Sequence, residues 1–147
     1  MAVHGFRGLR VWQQGMRVSI AAIVLCRRMR GAEGAVLASQ IRRACVSIPS
    51  NIAEGYGRDS RGDYLRFLSI ANGSLRELET LVELGVGIGA VGGELAAGVL
   101  ADCDNLGRMM SGMIRRLSAT ERTSRWRKPD GGWRMADGAV DSAAPLD

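Results

Sequence analysis

The chain has 147 residues and a net charge of +5, with 46% hydrophobic, 24% charged and 5% aromatic residues. That composition excludes whole-chain disorder, suits one domain with its own core, and leans helical, because a β-sandwich or barrel would carry more aromatic and β-branched residues. Of the 20 basic residues, 19 are arginine and only Lys128 is lysine; residues 1–119 hold 15 Arg against 10 acids, so they carry the whole +5.

The first predicted helix runs from about Leu9 to Arg30. Leu9, Trp12, Met16, Ile20, Ile23 and Cys26 or Arg27 recur at three- and four-residue steps, which is one face of a helix. Gly31 is its expected stop. Arg7 and Arg10 before the apolar run Val18–Cys26 mimic a signal peptide, but Arg27, Arg28 and Arg30 follow at once, where a cleavage site needs small uncharged residues. No apolar stretch reaches the length of a membrane span, and the expected location is the cytoplasm.

The second predicted helix covers about Ala35 to Glu54, with Leu37, Ile41, Ala44, Cys45, Ile48 and Ile52 inward. Pro49 falls inside it and lacks the amide that a helix interior uses, so either a kink near Cys45–Pro49 or a break and restart is expected. Asn51-x-x-Glu54 resembles a capping box and suits a restart. The third helix should start at Asp59 or Ser60 as N-cap, with Asp63 in its first turn. Tyr64, Leu68, Ala71, Leu75, Leu78, Val82 and Gly85 alternate steps of four and three without a miss, the seam of a bundle helix. A second stripe of Phe67, Ile70, Ser74 and Leu81 lies beside it. The fourth helix covers about Glu94 to Ser118, with Leu95, Val99, Cys103, Leu106, Met110, Met113 and Leu117 inward and Gly85–Gly93 as the connection before it. From Thr120 the periodicity stops. The expected fold is all-α: an antiparallel up-down-up-down four-helix bundle over residues 1–119, with a flexible or disordered tail over 120–147.

Few motifs suggest chemistry. Gly87-Ile88-Gly89-Ala90-Val91-Gly92 matches GxGxxG, but a dinucleotide site needs a strand before it and a heptad-patterned helix stands there instead. His4 is the only histidine, which leaves a histidine-based triad or zinc site nothing to build on. Cys26, Cys45 and Cys103 show no CxxC spacing, and Cys45 and Cys103 fall on apolar faces where a small buried thiol is usual. No catalytic, cofactor or metal residue is assigned and no enzymatic activity is expected. The arginines admit two readings. Arg27, Arg28, Arg30, Arg42, Arg115 and Arg116 either complement helix ends and solubility or form a phosphate-binding surface, with Arg58 and Arg61 as further candidates. Trp126 and Trp133, among the tail's basic residues, could stack on bases.

The segment Gln40-Ile41-Arg42-Arg43-Ala44-Cys45-Val46-Ser47-Ile48-Pro49-Ser50-Asn51-Ile52-Ala53-Glu54-Gly55 resembles the signature of the four-helix bundle proteins encoded within intervening sequences of 23S ribosomal RNA genes. Tyr64–Leu78, with its Ala71-Asn72-Gly73-Ser74-Leu75-Arg76-Glu77 core, resembles that family's second motif, and Phe6, Leu9 and Trp12 its N-terminal one. The resemblance spans about Phe6 to Leu117. It implies a ring-forming homo-oligomer, commonly a homopentamer, without enzymatic activity. It also implies kinship with the accessory variability determinant proteins of diversity-generating retroelements, which bind nucleic acid and a reverse transcriptase. The leading functional expectation is therefore a non-enzymatic homo-oligomer that binds RNA or other nucleic acid through arginines. The alternative is a protein-interaction scaffold with no nucleic-acid role.

The short connection between the second and third helices makes them antiparallel neighbours. That register sets Arg43 opposite Glu77, Ser47 opposite Ser74 and Gln40 opposite Thr80. A buried polar network of Gln40, Arg43, Ser47, Asn51, Ser74 and Glu77 is expected, with Arg43 withdrawn from solvent and Arg42 free.

Overall fold

The computed structural model describes residues 5–119, 126–127 and 134–135. After a 3-10 turn at Gly5–Gly8 come four helices: α1 (Arg10–Cys26), α2 (Gly31–Tyr56), α3 (Arg61–Gly87) and α4 (Gly93–Ala119). α1 packs on α2, α2 on α3, α3 on α4, and α4 returns to α1, with α2 against α3 the most extensive pairing. The result is the antiparallel up-down-up-down bundle. Trp126–Arg127 (β1) pairs antiparallel with Arg134–Met135 (β2), where no strand was expected. The rest of the expected tail lies outside the described residues.

α3 follows the sequence pattern closely. Ser60 is its N-cap, accepting from the Asp63 amide at 3.0 Å, and all seven seam residues from Tyr64 to Gly85 are buried. In the second stripe Phe67 and Leu81 are buried, whereas Ile70 is exposed. α3 stops through glycine chemistry. Gly89 adopts φ +71°, the Ala90 amide donates to the Gly85 carbonyl at 2.9 Å and the Gly89 amide to Val86 at 3.0 Å. That pair of bonds is the Schellman stop, and it accounts for the Gly87–Gly92 run: a helix precedes it, not a strand. Gly85 thus lies within α3 and not in the connection. The connection docks on the α1–α2 turn through Arg30 N–H to Ala90 C=O at 2.9 Å. On α4 the inward residues are as expected except at the start, where Ala96 is buried and Leu95 exposed.

α1 differs from expectation. It ends at Cys26, and Gly31, at φ +80°, opens α2 instead of closing α1. Its buried face is Val11, Gln14, Gly15, Val18, Ser19, Ala22, Leu25 and Cys26. Ile20 is exposed, and Trp12, Met16 and Ile23 are only half-buried. The face that wins is the one with small residues. Gly15 leaves room for Ile48, Ile52 and the Pro49 backbone, so α2 can approach closely.

α2 passes through Pro49 without a break. A proline at 49 cannot donate to the carbonyl of residue 45, and Ser19 Oγ supplies that carbonyl with a hydrogen bond of 2.6 Å from the neighbouring helix. The Asn51 side chain does not cap a restarted helix; its Nδ2 donates to Ser47 O and Oγ at 2.8 and 2.9 Å.

Candidate nucleic-acid interface

The up-down order sorts the charges between the two ends of the bundle. One end gathers the start of α1, the α2–α3 connection and the finish of α4; the Arg61 guanidinium closes it by donating to the Leu117 carbonyl at 2.8 Å. It holds Arg7, Arg10, Arg58, Arg61, Arg66, Arg115 and Arg116 against Glu54, Asp59 and Asp63, a net +4 of the chain's +5. The opposite end holds Arg27, Arg28 and Arg30 against Glu33, Glu83 and Glu94, a net of zero.

The six arginines expected to share a surface therefore do not. Arg115 and Arg116 lie at the basic end, together with Arg58 and Arg61. Arg27, Arg28 and Arg30 lie at the far end, about 40 Å away along a 27-residue helix. Arg42 is exposed midway along α2. Arg7, Arg10 and Arg66 join the basic end unannounced by any local charge run.

The basic end has built structure. The Arg58 and Arg66 guanidinium carbons lie 4.6 and 4.8 Å from the Phe67 ring centre, and Arg7 lies 4.6 Å from that of Phe6. Stacking of this kind limits the rotamers of long side chains while leaving N–H donors at the guanidinium edge. Arg58 also pairs with Glu54, and Arg66 sits 3.8 Å from Asp63. Part of the charge is thus used locally, and the surplus is what a polyanion would meet.

The polar network between α2 and α3 forms only in part. Ser47 Oγ and Ser74 Oγ are 2.8 Å apart, with Asn51 joined to Ser47. Arg43 and Glu77 are both exposed, and neither forms an ion pair among the described residues; the expected buried pair is absent and Arg43 faces solvent. Gln40 is half-buried and Thr80 exposed, and the Thr80 hydroxyl donates to Arg76 O in its own helix. The antiparallel register fixes height along the axis but not azimuth. One turn from Ser47 back to Arg43, or from Ser74 on to Glu77, also rotates the side chain outward.

All three cysteines are buried free thiols. Burial pushes Cys103 up to about 12, with Glu79 and Asp102 adding to the rise; burial likewise raises Cys26 and Cys45. Thiolate is the nucleophile, so native protein at pH 8 is expected to resist iodoacetamide and to gain three adducts per chain once unfolded. Mass spectrometry showing rapid labelling of folded protein would contradict this burial. Among the described residues no cluster of His, Cys, Asp and Glu could hold a metal ion, and no helix is long and apolar enough to cross a membrane.

The family model for 23S rRNA-intervening sequence proteins matches residues 7–112. The chain belongs to that family. A solved structure from Bacteroides thetaiotaomicron, described as a protein of unknown function from the S23 ribosomal protein family, is similar in fold: TM-score 0.66, 23% identity, covering 71% of this chain and 98% of that one. No curated protein matches. The family match covers α1, α2, α3 and most of α4, and so includes both serines of the α2–α3 contact and every arginine of the basic end except Arg115 and Arg116.

Proposed function

We propose that this intervening-sequence family member is a non-catalytic homo-oligomer that binds RNA or other nucleic acid through the arginine-rich end of its bundle. The observation that carries this reading is the concentration of +4 of the +5 net charge at one end, its arginines drawn from the turn before α1, from α1, α3 and α4, and from the α2–α3 connection. Phosphate contacts through arginine are strong, tolerant of sequence and sensitive to salt. Self-assembly is supported by the exposed Ile20 and Val24 on α1 and Leu84 and Ile88 on α3, since neighbouring exposed apolar side chains are what an interface uses. In a pentamer, the assembly implied by the sequence resemblance, five such ends would carry about +20 and turn weak contacts into avid ones.

The test is binding of structured RNA and duplex DNA across a salt series. Replacing Arg7, Arg66 and Arg115 by Ala is expected to lower the slope of log affinity against log salt by about 2–3 for duplex and by about 2 for single strands. Replacing Arg27, Arg28 and Arg30 at the far end should leave that slope nearly unchanged. If the far-end variant loses binding and the near-end variant keeps it, the assignment is wrong. If the parent binds neither nucleic acid at low salt, the scaffold reading replaces it.

A further inference from the structure

The arginine-rich end of the bundle is also its aromatic end. Residues 1–119 hold Phe6, Trp12, Tyr56, Tyr64 and Phe67 as their only aromatic side chains. Phe6 lies in the 3-10 turn before α1, Trp12 in the first turn of α1, Tyr56 at the last position of α2, and Tyr64 and Phe67 in the first two turns of α3. All of them gather at the end that carries +4, and the neutral end around Arg27, Arg28 and Arg30 has none. Core packing accounts for Tyr64 and Phe67, which are buried. Phe6, Trp12 and Tyr56 are only half-buried.

Rings and arginines here form two stacks. Phe6 meets Trp12 edge-on with ring centres 5.3 Å apart and carries the Arg7 guanidinium at 4.6 Å. Gln13 Nε2 donates to the Arg7 carbonyl at 2.9 Å, which holds the backbone of that turn. Phe67 carries Arg58 and Arg66 at 4.6 and 4.8 Å. The last turn of α2 lies between the stacks: the 3-10 turn packs on α1 and α2, while Gly55 of α2 lies against Phe67 and Tyr64. The neighbouring acids engage guanidinium nitrogens, Glu54 at Arg58 Nη2 and Asp63 at Arg66 Nε. Even so, the Arg58 and Arg66 side chains are 43% and 63% exposed, and Arg7 is exposed. A guanidinium that rests on a ring with one face has its second face turned outward.

We propose that the nucleic acid taken by this end is unpaired, its bases stacking on the outward faces of Arg7, Arg58 and Arg66 while guanidinium edges contact the phosphates. This deepens the nucleic-acid reading and rests on it. A duplex shows a protein its phosphates and the edges of its bases; the base faces are covered by the neighbouring pairs. Charge alone therefore serves a duplex. Planar groups interleaved with charge serve a single strand, whose bases have open faces and stack with little regard to sequence. Arginine supplies both plane and charge, and lysine supplies only charge. The neutral end has arginines too, but no ring beneath them to hold their planes.

The experiment measures binding of the full chain at low salt to four probes of equal length: single-stranded RNA, single-stranded DNA, duplex DNA, and an abasic DNA strand that keeps the phosphates and lacks the bases. Both single strands should bind about fivefold or more tightly than the abasic strand, the worth of at least one stacked base. The second arm is the double variant Arg7→Lys with Arg66→Lys, which keeps both charges and removes two planes at exposed positions. It should lose about fivefold or more on the single strands, with duplex and abasic binding, and their salt dependence, close to the parent's. Tighter binding of the RNA strand than of the DNA strand would support the stacks and name RNA as the source, through contact with the 2′-hydroxyl. Single strands bound no better than the abasic strand, or a lysine variant that holds them as the parent does, overturn the stacking and leave a purely charge-driven interface. A parent that binds none of the four probes overturns the nucleic-acid reading beneath it.

Discussion

Ser19→Ala is expected to lower unfolding stability by about 1–3 kcal/mol, the cost of leaving a buried acceptor without a partner. Ser19 Oγ lies 2.6 Å from Cys45 O and 2.8 Å from Gly15 O. The Gly15 carbonyl already receives the helical bond from the Ser19 amide, so the hydroxyl proton belongs to Cys45, whose helical donor Pro49 removes. The coupling is the decisive quantity. Pro49→Ala restores an amide aimed at the same carbonyl, and after that change Ser19→Ala should cost about 1 kcal/mol or less. A double-mutant cycle by urea denaturation measures this directly. Strictly additive costs would mean that the hydroxyl and the proline act independently. On the expected result, α1 repairs a defect that proline creates in α2, and the two helices have one permitted alignment.

That dependence shows why some of the structure was legible in the sequence and some was not. α3 was read correctly because its seam is uninterrupted and its cap, Ser60, is a local signal. α4 was read nearly as well, with Ala96 in place of Leu95 as the first inward residue. α1 was misread because hydrophobicity favours the larger residues, whereas close packing on α2 favours Gly15, Ser19 and Ala22. Nothing within α1 itself announces that Ser19 answers a proline 30 positions later. The larger residues displaced from the core, Ile20 above all, are those now proposed to meet a second copy.

The candidate interface was less legible than the fold, for a related reason. Charge runs in the sequence drew attention to Arg27, Arg28 and Arg30, which the fold places beside Glu33, Glu83 and Glu94 at a neutral end. The basic end is assembled from single arginines scattered from position 7 to position 116. Only the up-down order brings them together. Ser47 and Ser74 were paired correctly because they sit at the rim of the buried seam, where height and azimuth agree; Arg43 and Glu77 lie beyond it.

The second large effect concerns the close approach of α2 and α3 beside the basic end. A Cβ on Gly55 would stand 2.8 Å from Phe67 Cβ, 2.9 Å from Tyr64 Cδ2 and 3.3 Å from the Tyr64 carbonyl. None of these atoms is the free end of a flexible chain, and Tyr64 is fully buried. Gly55→Ala gains about 1 kcal/mol of helix propensity but must force α3 away from α2, an overpacking cost of about 1–3 kcal/mol and occasionally more. A net loss of up to about 2 kcal/mol or more is expected. Gly107→Ala provides the control. There the only close group is the Arg76 guanidinium, the half-exposed end of a flexible side chain that can swing aside at the small cost of its surface pair with Glu79, so this variant should be close to neutral. Equal stability of the two variants by chemical denaturation would show that the α2–α3 approach is looser than described. Gly55→Ala should also weaken nucleic-acid binding more than its stability loss explains, because Phe67, the residue it displaces, is the ring on which Arg58 and Arg66 rest. Binding measured well below the melting temperature separates the two effects, since a protein that is still folded there can lose affinity only through the displaced arginines.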